Sequence, residues 1–116
     1  MIYNIKGGVD VRFLRGELTR YLFQISEIFR WNAKNACDDF PFTITAGADG
    51  SHMEGSKHYK NQAIDMRIWF TDARGEREDL PDDVIQNIAG DLRKLLGPDY
   101  QTVIHEGSHI HLEWDP

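Results

Sequence analysis

The chain of 116 residues is 41% hydrophobic and 28% charged, the size and balance of one globular domain, so residues 1–116 are expected to form a single core. No run approaches the roughly 18 apolar residues of a bilayer span, and a net charge of −6 without a basic block argues against nucleic acid as a partner. The single cysteine, Cys37, excludes an internal disulfide and a multi-cysteine zinc site.

The opening residues, MIYNIKGGVDVRF, lack the charged start and continuous apolar stretch of a secretory signal, so synthesis in the cytoplasm is expected. From about Glu17 to Trp31, Leu18, Tyr21, Leu22, Ile25, Ile28 and Phe29 recur at three- and four-residue steps, which predicts an amphipathic helix. In FTIT, residues 42–45, Phe42 and Ile44 face one way and Thr43 and Thr45 the other. In AIDMRIWF, residues 63–70, Ile64, Met66, Ile68 and Phe70 alternate with Ala63, Asp65, Arg67 and Trp69. Both read as half-buried strands.

Residues 70–83 form a polar connection, in part a hairpin tip. A second helix is predicted from Pro81 to Leu96, with Asp82 and Asp83 at its positive end and an apolar face of Val84, Ile85, Ile88, Leu92, Leu95 and Leu96. GPDY, residues 97–100, ends it. QTVIH and HIHLEW then flank EGS as two antiparallel strands, with Ile110, Leu112 and Trp114 on one face and His109, His111 and Glu113 on the other. The expected class is α+β: an antiparallel sheet with the helices packed on its apolar face and its polar face free for chemistry.

All five histidines, at 52, 58, 105, 109 and 111, fall in two short windows. Without thiolates, zinc takes nitrogen and oxygen ligands, and three protein ligands leave the open position that catalysis needs. His58 from the loop, Asp65 from one strand and His111 from its neighbour fit that pattern, with Ala63 small enough to leave room for the ion. Glu106, in the hairpin loop, is placed to take a proton from a metal-bound water and return it to a leaving amine. His109, one pleat from His111, and His52, from the other side, are candidates for holding the oxyanion of a tetrahedral intermediate. His105 reads as a solvated surface residue, whereas Arg67 and Trp69 share the polar face with Asp65 and are candidates for lining a substrate groove.

SKHYKNQAID, residues 56–65, resembles the S-x-H-x-x-G-x-A-x-D signature of the M15 metallopeptidases, which include D-alanyl-D-alanine carboxypeptidases, dipeptidases and many bacteriophage endolysins. EGSHIH, residues 106–111, resembles their closing E/H-x-x-H-x-H element. Both stretches are also similar to the amino-terminal signalling domain of hedgehog proteins, which carries a further histidine six positions before the first ligand, as His52 precedes His58. The resemblance runs from about Thr43 to Glu113. It implies zinc held by His58, Asp65 and the last histidine, His111, with Glu106 as base and His109 and His52 in supporting roles.

The implied activity is hydrolysis of a peptide bond in the peptidoglycan stem or cross-link by Glu-assisted attack of zinc-bound water, at the cell wall if the chain is a phage-type lysis enzyme. The alternative, which the hedgehog likeness allows, is a zinc-stabilised binding or signalling module without turnover. Three positions depart from the pattern. Asn61 stands where glycine is usual, and asparagine tolerates left-handed backbone angles. AGAD, residues 46–49, stands where many relatives carry S-G-x-R, whose arginine holds a substrate carboxylate, and Arg67 is a candidate replacement. Some members use the histidine three after the acid as ligand, here His109, so the third ligand stays open between His109 and His111.

Overall fold

The computed structural model describes residues 4–5, 17–46 and 63–114. The elements run β1 (Asn4–Ile5), α1 (Glu17–Ala33), β2 (Thr43–Ala46), β3 (Ala63–Arg67), β4 (Trp69–Thr71), β5 (Arg77–Asp79), α2 (Asp82–Leu96), β6 (Tyr100–His105) and β7 (His109–Trp114). The chain is α+β, as its periodicities predict. His52 and His58 lie outside the described residues.

A five-stranded sheet has the order β1-β2-β3-β7-β6. It is antiparallel except at one edge, where β1 pairs in parallel with β2. The expectation of a wholly antiparallel sheet is corrected there: two residues of MIYNIK add a strand too short to leave a periodic signal. Alternation along β3 and β7 sends Ile64, Met66, Ile110 and Leu112 into the core, all fully buried.

Both helices cover that apolar face. Leu18, Leu22, Ile25, Phe29 and Ala33 of α1 and Ile85, Ile88 and Leu92 of α2 join the sheet residues in one core cluster. Each of these leucine, isoleucine and phenylalanine side chains contributes about 1.5–3 kcal/mol on burial. Asn32 Nδ2 donates to Asp91 Oδ2 at 3.0 Å and ties the helices together, while Arg93 Nη2 donates to the Thr102 carbonyl at 3.0 Å and ties α2 to β6. Pro81 caps α2 from outside its first turn, and Gly97, at φ 78°, closes the far end by donating its N–H to the Arg93 carbonyl.

The predicted strand over 63–70 is broken at Ile68. The β6–β7 hairpin ends beyond the Arg67–His109 pair, so β3 has no further partner on that side. Ile68 bridges the change: its N–H donates to the Ser108 carbonyl at 3.2 Å and its carbonyl accepts from Leu80 N–H at 3.0 Å. From Trp69 onward the chain pairs instead with β5 in a two-stranded hairpin. The hairpin tip is held by Asp72 Oδ1, which accepts from the N–H groups of Arg74 and Glu76.

Candidate functional site

The same alternation that buries Ile64 and Met66 places Asp65 and Arg67 on the opposite face. The strand register sets Asp65 beside His111 and Arg67 beside His109. Asp65 Oδ1 lies 2.8 Å from His111 Nδ1, and Asp65 Oδ2 lies 3.5 Å from His109 Nε2. One carboxylate therefore faces two imidazoles, on side chains 16%, 17% and 24% exposed for Asp65, His111 and His109.

Each ring is held from behind. His111 Nε2 meets Glu113 Oε1 at 2.8 Å, and His109 Nδ1 meets Ser108 Oγ at 2.7 Å. These backing groups turn His111 Nδ1 and His109 Nε2 toward Asp65. The Asp65 hydrogen bond, opposed by burial and aided by Glu113, raises the pKa of His111 above its ordinary value. An imidazole between two carboxylates is stabilised as the cation, and a metal ion bound at Nδ1 would take the place of that proton.

His105 joins the group. It closes the hairpin opposite His109, and its ring stacks on that of His109 with centroids 4.5 Å apart and meets His111 edge-on at 6.3 Å. It is exposed, as its reading as a surface residue expects, and one side of its ring rests on both neighbours. The signal was in the spacing: a three-residue loop makes the residues flanking it a direct cross-strand pair. Glu113 shares the polar face that strand alternation assigns to it, but its backing of His111 emerges only from the distances.

No family model, curated protein or solved structure matches the chain. Among the described residues, no group of three or more His, Cys, Asp or Glu side chains is arranged to hold a metal ion. Asp65 and His111 offer two ligand atoms, and Glu113 holds the far nitrogen of His111 so that its Nδ1 faces Asp65. His109 offers a third nitrogen at the Asp65 carboxylate. His58 and His52, singled out as ligand and oxyanion holder, lie outside the described residues.

Glu106 is exposed in the β6–β7 turn, where Gly107 adopts φ 73°. It lines a cavity of about 260 Å³ with Ile68, Asp79, Leu80, Asp82, Ile85 and Gly107, on the α2 side of the turn. A larger hollow of about 610 Å³ at the outer edge of β6, lined by residues such as Arg93, Tyr100 and Thr102, includes none of the candidate site residues. Arg67, beyond Asp65 on the polar face, has its pKa lowered by burial and by the nearby charge of Arg77.

Proposed function

We propose that the protein is a zinc-dependent peptidase acting on the peptide stem or cross-link of peptidoglycan. The observation that carries the reading is the convergence of His111 Nδ1 and His109 Nε2 on Asp65, each imidazole held by a backing group on its other nitrogen. Zinc takes imidazole nitrogens oriented in advance beside an anionic oxygen, in exchange for any proton they carry, and this face supplies that orientation. His58, Asp65 and His111 would hold the ion, with His109 the alternative to His111. Bound there, zinc supplies a Lewis acid that activates water at neutral pH.

The chain's own residues then have separable tasks. Asp65 lowers the net charge of the ion, and Glu113 keeps Nδ1 of His111 directed at it. Glu106 is the proposed base that accepts a proton and delivers it to the departing amine. His109, where it is not a ligand, donates a hydrogen bond to the developing oxyanion, a task His52 would share.

A second reading has one observation in its favour. Glu106 lines the cavity on the α2 side of the turn, which fits a zinc-stabilised binding module without turnover. Incubation of zinc-loaded protein with purified peptidoglycan, followed by labelling of new amino termini, separates the two. The peptidase reading expects release that falls about 100-fold or more in Glu106→Ala, the range of lost general-base catalysis. Equal release by both proteins removes Glu106 from its role, and no release from any stem type with zinc still bound favours the module.

A further inference from the structure

The order of the five-stranded sheet leaves β6 at one edge. Two hydrogen bonds show which of its backbone groups face away from β7: the Thr102 carbonyl accepts from Arg93 Nη2 at 3.0 Å, and Tyr100 N–H donates to the Gly97 carbonyl at 3.4 Å. Pairing alternates along an antiparallel ladder, so Tyr100, Thr102 and Ile104 turn their backbone groups outward, whereas Gln101, Val103 and His105 turn theirs toward β7. Thr102 N–H and the N–H and carbonyl of Ile104 meet no partner among the described residues.

This strand lacks the devices that keep sheet edges from pairing. YQTVIH, residues 100–105, contains no proline, lysine, arginine or carboxylate, and its register with β7 runs without a bulge from Tyr100 to His105. The hollow of about 610 Å³ lies against it from Tyr100 to Val103. Val103 itself is 42% exposed. A row of outward backbone donors and acceptors is matched by another extended strand, and β6 can serve as its own partner.

Two copies laid antiparallel about a two-fold axis at Val103 set Thr102 of each opposite Ile104 of the other. That register joins Thr102 N–H to the Ile104 carbonyl, and Ile104 N–H to the Thr102 carbonyl, which has a second lone pair beside the one Arg93 uses. All the outward groups at residues 102 and 104 are then satisfied. The same axis brings Val103 against its own copy, with Cα atoms about 4.5 Å apart, and covers its exposed side chain. Centring on Thr102 would instead oppose Ile104 to Tyr100, whose N–H the Gly97 carbonyl already holds.

We propose that β6 is the interface of a homodimer in which two copies of this sheet join edge to edge into one continuous sheet. The axis stands perpendicular to the sheet, so the polar faces of both copies open on the same side. Val103 pairs with His111 within each copy, so the two His111 positions lie in line across the axis, three strand spacings or about 14 Å apart. Each copy carries a net charge of −6, and the pairing strengthens as salt screens that repulsion.

The test needs neither zinc nor turnover. Sedimentation equilibrium of chelator-treated protein, from about 10 µM to about 1 mM in about 0.3 M salt, reads the dimer with metal bridging excluded. The expected result is a monomer–dimer equilibrium with a dissociation constant of about 10–100 µM, as a small interface gives. Val103→Lys, which sets two ammonium groups against each other at an exposed position, is expected to weaken it about tenfold or more. Amide hydrogen exchange needs no variant and decides alone where Val103→Lys fails to fold: Thr102 and Ile104 N–H should slow about fivefold or more between the lowest and highest concentrations, while amides that already face β7 change less. A monomer at about 1 mM overturns the dimer and leaves the edge to a strand from another protein. A dimer that is unchanged by Val103→Lys, or that leaves exchange at Thr102 and Ile104 unaltered, uses another face and overturns the pairing equally.

Discussion

Asp65 is the residue on which the polar face turns, and His111 is the group whose charge it controls. The raised pKa of His111 gives a stability term with a definite sign. An imidazole bound more tightly by its proton in the folded state than in the unfolded chain stabilises the fold fully below the unfolded value of about 6.5, and loses that contribution as pH rises through the higher folded value. In metal-free protein, His111→Gln is therefore expected to cost about 1.5–3 kcal/mol near pH 5.5, the range for hydrogen bonds to charged groups, and much less at pH 9. Urea unfolding at the two pH values measures it. A penalty of the same size at both would mean that His111 contributes by packing and not by its charge.

At the scale of elements, the helices and the β6–β7 hairpin were readable because their signals are local. The three- and four-residue steps of Leu18, Leu22, Ile25 and Phe29 are those of a buried helical stripe, and HIHLEW alternates as the register requires. The break at Ile68 was hidden, because apolar alternation continues through residues 63–70 while the chain changes partner from β7 to β5. Periodicity reports which face a residue takes and is silent about which strand lies beside it. The stacking of exposed His105 on His109 was hidden for the same reason, since it depends on pairing across the turn.

That turn also sets the site. Gly107 holds φ 73° with open space where a Cβ would stand, so substitution there meets backbone strain and no clash. Gly107→Ala is expected to lose about 1–2 kcal/mol of unfolding free energy, and Gly107→Asn to recover much of it, because asparagine tolerates the left-handed region. Zinc affinity is expected to fall with the alanine variant, since His105 and His109 flank the turn. Unchanged stability in Gly107→Ala would show that the turn has another conformation open to it.

For the whole molecule, the central question is whether two distant chain segments are clamped by one ion. Asp65 and His111 sit on adjacent strands that the hydrogen-bond ladder already joins, so a bound ion would add to a formed core and would not create it. Zinc should accordingly raise stability by linkage: at 100 times its dissociation constant, binding to the folded state alone adds about 2.7 kcal/mol, several degrees in melting temperature for a chain of this size. Asp65→Asn should fold yet lose most of that rise, and His58→Ala tests the ligand placed by the signature in residues 56–65. Because an ion held at His111 would displace a proton from it, the zinc-dependent gain should shrink as pH falls from 8 to 5.5, opposite in direction to the metal-free contribution of the same residue. Thermal unfolding with and without zinc across that range decides it. A rise that is unchanged in Asp65→Asn would place the ion elsewhere on the molecule and leave the Asp65–His111 contact as a purely structural bond.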